Sequence, residues 1–374
     1  MTIYMDNAAT RMGNFGTFNV NSPYAQEQQI KFEEARKKIA NSLHCEAENI
    51  YFTAGGCEAN SWALQRVGCK KIITTKIEHS SVMNCCRWLE NHGYDVTYLN
   101  VDKHGLVDLV QLEEVLSEKP HVPTLVSIMY VNNELGTTQD LRAIRKIIDL
   151  NNQWRRNHST ETLTDFAEPI YFHSDCVQAV GQMDIPIECL DLMSASGHKF
   201  GNDYGVGFLY SRVPIQPLIF GGSQEHGLRG GTSNYKAILR MADCLVHKQQ
   251  DIIGRANTIT MVNYLRDELE KFDCIINTPK DSKSSILSVS FKGVDAERLM
   301  IFLNGFGIYV SSGSACETDH KEHSHVLTAI GVPDDYINGT IRFSLSEYIG
   351  ASHIDTVISL IKQFIGGFDG EKSD

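Results

Sequence analysis

Two residues far apart in this chain have the chemistry to work together, a cysteine in a small-residue loop and a lysine at a strand end. Cys316 stands in Ser311-Ser312-Gly313-Ser314-Ala315-Cys316-Glu317-Thr318-Asp319, a turn running into a polar loop. Nothing bulky flanks the thiol, and His320, Lys321 and His323 follow it with charge that favours a thiolate, the nucleophilic form of cysteine. Cys244 differs: it lies in Met241-Ala242-Asp243-Cys244-Leu245-Val246 and reads as a buried structural residue. Lys199 ends Ser194-Ala195-Ser196-Gly197-His198-Lys199, after an apolar strand and before the glycine-rich turn Gly201 to Gly207.

A lysine desolvated at such a strand end can form a Schiff base with an aldehyde cofactor such as pyridoxal phosphate, PLP. That cofactor needs partners, and the chain has a candidate for each. A carboxylate facing the ring nitrogen keeps it protonated, and Asp175, after the strand Ile170 to His173, has the residue type and the place. Thr53-Ala54-Gly55-Gly56-Cys57-Glu58 is a strand–glycine–helix junction, whose N–H groups suit a phosphate. His79 follows another strand and can stack on the ring. Arg342, a charge inside the alternating strand Thr340 to Leu345, suits a substrate carboxylate, with Asn133 at a further strand end to assist. Taken singly, each has an ordinary reading: loop thiol, solvated lysine, helix-capping aspartate, structural histidine, strand-face arginine, turn asparagine.

The elements that must position these residues alternate. Strands are expected at 50–53, 71–75, 96–99, 124–131, 170–173, 192–195 and 207–210, with helices from about 58 and over 80–92, 108–117 and 140–155. Such alternation predicts an α/β fold with a mostly parallel sheet covered on both faces, whose ligands gather at the carboxyl ends of the strands. Helices over 235–249 and 255–272 lead into a smaller α+β set: strands 286–291, 307–311 and 340–345, helices 295–304 and 351–366. The expected division is a large domain over 14–247 and a small domain made of 1–13 with 248–374. Residues 151–168 read as a polar, exposed excursion, and the tail from Gly366 as frayed.

Composition removes other classes. With 34 basic and 46 acidic residues the net charge is -12, and no basic run suits nucleic acid. No apolar stretch is long enough for a membrane helix, and the first residues lack the charged head and apolar run of a signal peptide. The ten cysteines form no C-x-x-C pair, which argues against a zinc ribbon, and no metal site is expected. The expectation is a cytoplasmic protein with reduced thiols.

Ten segments in order resemble the cysteine desulfurases, PLP enzymes of fold-type I in the class V aminotransferase group. They are Tyr4 to Thr10, residues 52–60, Glu78-His79, Val131 to Gly136, His173 to Gln178, Ser196 to Lys199, Gly227 to Thr232, Ser311 to Cys316, Ser324 to Leu327 and Ile341 to Leu345. The resemblance implies that Lys199 holds PLP, Asp175 pairs with its ring nitrogen, Gln178 reaches its phenolic oxygen and His79 stacks on it. It further implies that Gly56, Cys57, Ser196 and His198 hold the phosphate, with Thr232 supplied by the partner chain of a homodimer. Asn133 and Arg342 would bind the carboxylate of L-cysteine. Cys316 would take the substrate sulfur as a persulfide, leaving alanine, and pass it to an acceptor protein of iron–sulfur cluster assembly or tRNA thiolation.

The chain departs from the family's usual pattern at Cys57, where threonine is common, and at Asn202-Asp203-Tyr204-Gly205, where a basic residue is common. Two other readings compete: a selenocysteine lyase of the same fold, and a scaffold with reduced catalysis that binds partners.

Overall fold

The computed structural model describes residues 23–118, 122–158, 169–312 and 323–371. A seven-stranded sheet is built from β1 (Ile50–Thr53), β2 (Lys71–Thr75), β3 (Asp95–Leu99), β4 (Thr124–Ser127), β5 (Ile170–Asp175), β6 (Leu192–Ser196) and β7 (Gly207–Ser211). Their order is β1-β7-β6-β5-β4-β2-β3. Only β7 opposes its neighbours, so β1 runs in the same direction as the parallel set. The carboxyl ends of β1, β2, β4, β5 and β6 therefore share one edge.

Alternation along the strands explains why both faces are covered. Ile73, Val126, Phe172, Met193 and Phe208 join one core with α1 (Pro23–Leu43), α4 (Leu109–Glu118), α5 (Leu141–His158) and α6 (Tyr235–Gln250). Their neighbours Ile72, Leu125, Leu192 and Leu209 join a second core with α2 (Gly56–Arg66) and α3 (Ser80–Glu90).

A four-stranded antiparallel sheet follows, in the order β10-β11-β9-β8, from β8 (Cys274–Ile276), β9 (Ile286–Phe291), β10 (Ser311–Ser312) and β11 (Thr340–Ser344). Its core is shared with α7 (Ile252–Leu269), α8 (Ala296–Asn304) and α11 (Ala351–Glu371). A small apolar cluster joins the two sheets where it matters for the site. Ile77 and Leu135, from the edge turns of the large sheet, pack with Val326, Leu327 and Ile330 around α9 (His325–Ala329) and with Ile337 of α10 (Asp334–Ile337).

Several expectations need correction. The helix expected over 140–155 is α5 and continues to His158, so the excursion expected from residue 151 begins as helix. Arg155 is buried there, its Nη1 donating to Val122 O at 3.0 Å, and Asn152 exchanges two hydrogen bonds with Ile170. The polar residues are thus tied to the sheet, and 159–168 lie outside the described residues. The strand expected over 307–311 is reduced to Ser311–Ser312, since the chain turns at Gly307 and leaves Tyr309 exposed. The strand expected over 124–131 pairs only to Ser127 before the chain enters the site turn. The tail is helical to Glu371 rather than frayed from Gly366. Cys244 is half-buried rather than buried, with Sγ 3.5 Å from Gly201 O.

Candidate functional site

Five strand ends bring the candidate residues together. Gly55 and Gly56 follow β1, His79 follows β2, Asn133 follows β4, Asp175 ends β5, and Ser196 to Lys199 end β6. At the centre, Asp175 is only 4% exposed. Its Oδ1 accepts the Val177 N–H at 2.9 Å and its Oδ2 accepts from Asn60 Nδ2 at 2.7 Å. Burial pushes this carboxyl up, against the Val177 and Asn60 donors and the charges of His79 and Lys199. The capping reading of Asp175 holds only for the Val177 contact, because a series of turns and no helix follows β5.

Asn60 connects this carboxylate to the ring-stacking candidate. Its amide also donates to Ser81 Oγ at 2.9 Å, and that oxygen lies 2.8 Å from His79 Nδ1. The Ser81 N–H donates to the same Nδ1 at 3.1 Å, so the His79 side chain caps α3. An accepting Nδ1 places the proton of a neutral His79 on Nε2. Neither Asn60 nor Ser81 was singled out in the sequence. The available signal was weak: an asparagine one turn beyond Gly56, inside a helix whose interior disfavours it.

Lys199 lies in a 3₁₀ turn, Gly197–Phe200, and is exposed rather than desolvated as the sequence reading expected. The turn carries it past the end of the buried strand, toward solvent at the sheet edge. Ser196, buried, places Oγ 3.0 Å from His198 Nδ1. Burial, then the charge of Lys199, lowers the pKa of His198. Gly56 opens α2, and any Cβ there would come within 2.7 Å of Val177 Cγ2, so only glycine fits this close approach. The Cys57 thiol beside it is exposed. Gln178 is half-buried and makes no hydrogen bond among the described residues. Thr232 is exposed on the chain's own surface.

The second sheet contributes Arg342, which is half-buried in β11. Its Nη1 donates to Asn133 O at 2.8 Å, while its Nε is buried with no partner among the described residues. The two candidates for a substrate carboxylate are therefore adjacent, joined through the Asn133 backbone. Asn132 holds that turn: its Oδ1 accepts from Glu134 N and Leu135 N, and its Nδ2 donates to Ile77 O at 2.8 Å.

Two acids that the sequence reading passed over border the site. Glu78 is fully buried, and its Oε1 accepts from Thr75 and from Met129 N at 3.0 Å. Burial, with a contribution from Asp175, pushes its carboxyl up to about 8. Glu134 accepts from Ser324 Oγ at 2.6 Å, and His325 Nε2 donates to Glu78 O at 2.9 Å. Cys316, with the rest of 313–322, lies outside the described residues.

These residues fit PLP. Asp175 is a buried carboxylate whose hydrogen-bond donors here are all neutral, as suits a cationic ring nitrogen. The Gly56 cradle is shaped for close backbone approach, and the buried Nε of Arg342 and Oδ1 of Asn60 have unused hydrogen-bonding capacity.

Comparison with known proteins agrees. The family model "Aminotransferase class-V" matches residues 11–357. A cysteine desulfurase IscS of Methanosarcina thermophila is 34% identical, over 97% of this chain and 92% of that protein. A solved structure titled NifS-like protein superposes with a TM-score of 0.81 at 32% identity, covering 93% of this chain and 91% of the other. Another, titled SspA in complex with cysteine, gives a TM-score of 0.73 at 29% identity, over 89% and 91%. On this fold, with a family pattern that runs through nearly its whole length, the chain belongs to the class-V aminotransferases and, among them, to the PLP-dependent cysteine desulfurases.

Proposed function

We propose that the carboxyl-edge site acts on L-cysteine, leaves its sulfur on Cys316 and releases alanine. The observation that carries this reading is the meeting of Lys199, Asp175, His79 and Asn133 at one sheet edge, with Arg342 brought to Asn133 from the second sheet. The relative solved with cysteine, SspA, supports the choice of amino acid.

When bound, PLP supplies an aldehyde for the substrate amine and a ring that withdraws electrons from Cα. Lys199 Nζ would hold the cofactor through its aldehyde and, as a free amine when substrate is bound, would take the Cα proton. Asp175, fixed by Val177 and Asn60, keeps the ring nitrogen protonated. His79, its Nδ1 committed to Ser81, would stack on the ring, and Gln178 would reach the phenolic oxygen. Gly56, Cys57, Ser196 and His198 hold the phosphate. Asn133 and the fork of Arg342 hold the substrate carboxylate. Cys316 thiolate would attack the substrate sulfur, the new S–S bond forming as the substrate Cβ–S bond breaks. The electron pair of that bond stays with the carbon skeleton, which is protonated and leaves as alanine, and the sulfur stays on Cys316 as a persulfide.

The same reading makes the protein a cytoplasmic homodimer in which Thr232 reaches the partner's phosphate. The large domain spans 14–247 and the small one 1–13 with 248–374; the two separate sheets and cores support the division near 248, while 1–13 lie outside the described residues. The acceptor of the sulfur is a protein of iron–sulfur assembly or tRNA thiolation. Among the described residues no helix is long and apolar enough to cross a membrane.

The test is alanine production from L-cysteine by wild type, Lys199→Ala and Cys316→Ala. Loss in both variants, with PLP still bound in the second, is the expected result. Full activity of Cys316→Ala on cysteine would contradict it.

A further inference from the structure

The segment that ends at Thr232 is fixed by two acid–arginine pairs to the strand and turn that form the chain's own phosphate cradle. Glu58, in the first turn of α2, accepts the Ala54 N–H at 2.9 Å. The same carboxylate receives the fork of Arg229, with Nε at 2.8 Å and Nη2 at 3.1 Å. Both side chains are mostly buried, 17% and 14% exposed. Upstream, Glu225 accepts the Phe52 N–H at 2.9 Å and the fork of Arg36 at 2.8 and 3.1 Å. Glu225 and His226 occupy the left-handed region, with φ of 46° and 60°, a conformation that non-glycine residues hold only under surrounding constraint.

Between these pairs the chain is a narrow ribbon. Gly230 N donates to Ile219 O at 2.8 Å, and a Cβ on Gly230 would lie 2.4 Å from Gly221 Cα. The ribbon leaves Thr232 and Phe220, which is 79% exposed, facing solvent in the single chain. Two acid–arginine pairs thus tie the middle of the ribbon to the cradle strand and turn, while Phe220 and Thr232 near its ends are exposed.

We infer that Glu58 and Arg229 are positioning residues: they aim the 219–232 ribbon, so that Thr232 of one chain completes the phosphate site of its partner. This rests on the two-chain reading proposed above, and assigns to the Glu58–Arg229 pair an effect felt in the other subunit. The pair fixes direction through the paired donors of the guanidinium, which lysine cannot reproduce. Because Glu58 also holds Ala54, the turn that binds phosphate in one chain and the arm that serves the other share one carboxylate.

The test uses PLP affinity, read by titrating cofactor into stripped enzyme and following the visible absorbance of the lysine-linked form. In the homodimer, Arg229→Lys and Glu58→Gln should each weaken PLP binding by about tenfold, the size of one charge-assisted hydrogen bond. Two heterodimers then locate the effect, each with Lys199→Ala on one chain so that a single lysine-bearing site remains. With Arg229→Lys on the chain that lacks Lys199, the remaining site should bind weakly. With Arg229→Lys on the chain that keeps Lys199, binding should be near wild type. The two pairs carry the same substitutions, so a general folding defect affects both alike. A dimer in which the loss follows the lysine-bearing chain, or in which neither variant weakens PLP, overturns the inference alone. A chain that elutes as a monomer overturns the two-chain reading and the inference with it.

Discussion

Asn60 and Asp175 are joined by a 2.7 Å hydrogen bond that links helix α2 to the end of β5, 115 residues later in the chain. The same amide reaches Ser81, and through it His79, so the group facing the ring nitrogen and the group stacked on the ring are set by one side chain. A bond this short to a buried carboxylate is of the stronger, charge-assisted kind.

Replacing Asn60 with alanine removes the only side-chain donor to Asp175 among the described residues and takes from Ser81 Oγ the Asn60 amide that donates to it. We expect a stability loss of about 1–3 kcal/mol, measured by urea unfolding. PLP binding should weaken roughly tenfold as the carboxylate loses a bond that favours its charged form. Unchanged cofactor affinity would mean that Asn60 is only a packing residue.

Arg342→Lys keeps the positive charge but loses the planar fork. The KM for L-cysteine should rise by about tenfold to a hundredfold, with the visible spectrum of bound PLP unaltered. Altered cofactor absorbance with normal KM would move Arg342 from substrate to cofactor.

Glu78 predicts a pH dependence of stability. Its carboxyl stands at about 8 in the folded chain against an ordinary 4.5. Between those values the native state holds a proton that the unfolded chain has released, so rising pH favours unfolding. The contribution is whole below about 4.5 and is lost as pH climbs through 8. The slope from this one group is at most about 1.4 kcal/mol per pH unit. In Glu78→Gln the Oε1 acceptor for Met129 and Thr75 remains, and the decline in unfolding free energy from pH 5 to pH 8 should be shallower than in wild type. Parallel curves for the two proteins would show that Glu78 is ionised when folded.

How much of this was legible beforehand depends on where each residue sits. Lys199, Asp175, His79 and Asn133 could be read because apolar β-rich runs end just before them, and parallel strands deliver their ends to one edge. Asn60, Ser81 and Glu58 could not, because their roles depend on which face of α2 meets β5 and the 219–232 ribbon. That is a tertiary relation with no local pattern. The helix expected over 140–155 runs on to His158, and its last turn was hidden because Arg156, Asn157 and His158 carry no apolar period. The three-residue strand β8 is too short to show a period, and its cysteine and two isoleucines are only partly buried.

The central claim is that Cys316 receives the substrate sulfur. The most direct measurement is the mass of the Cys316 peptide after a single turnover with L-cysteine and no acceptor, taken without reductant. The account predicts one added sulfur atom on Cys316, lost on reduction, with an equal amount of alanine formed. Alanine formed while Cys316 stays unmodified, or added sulfur located on Cys57 alone, would contradict it.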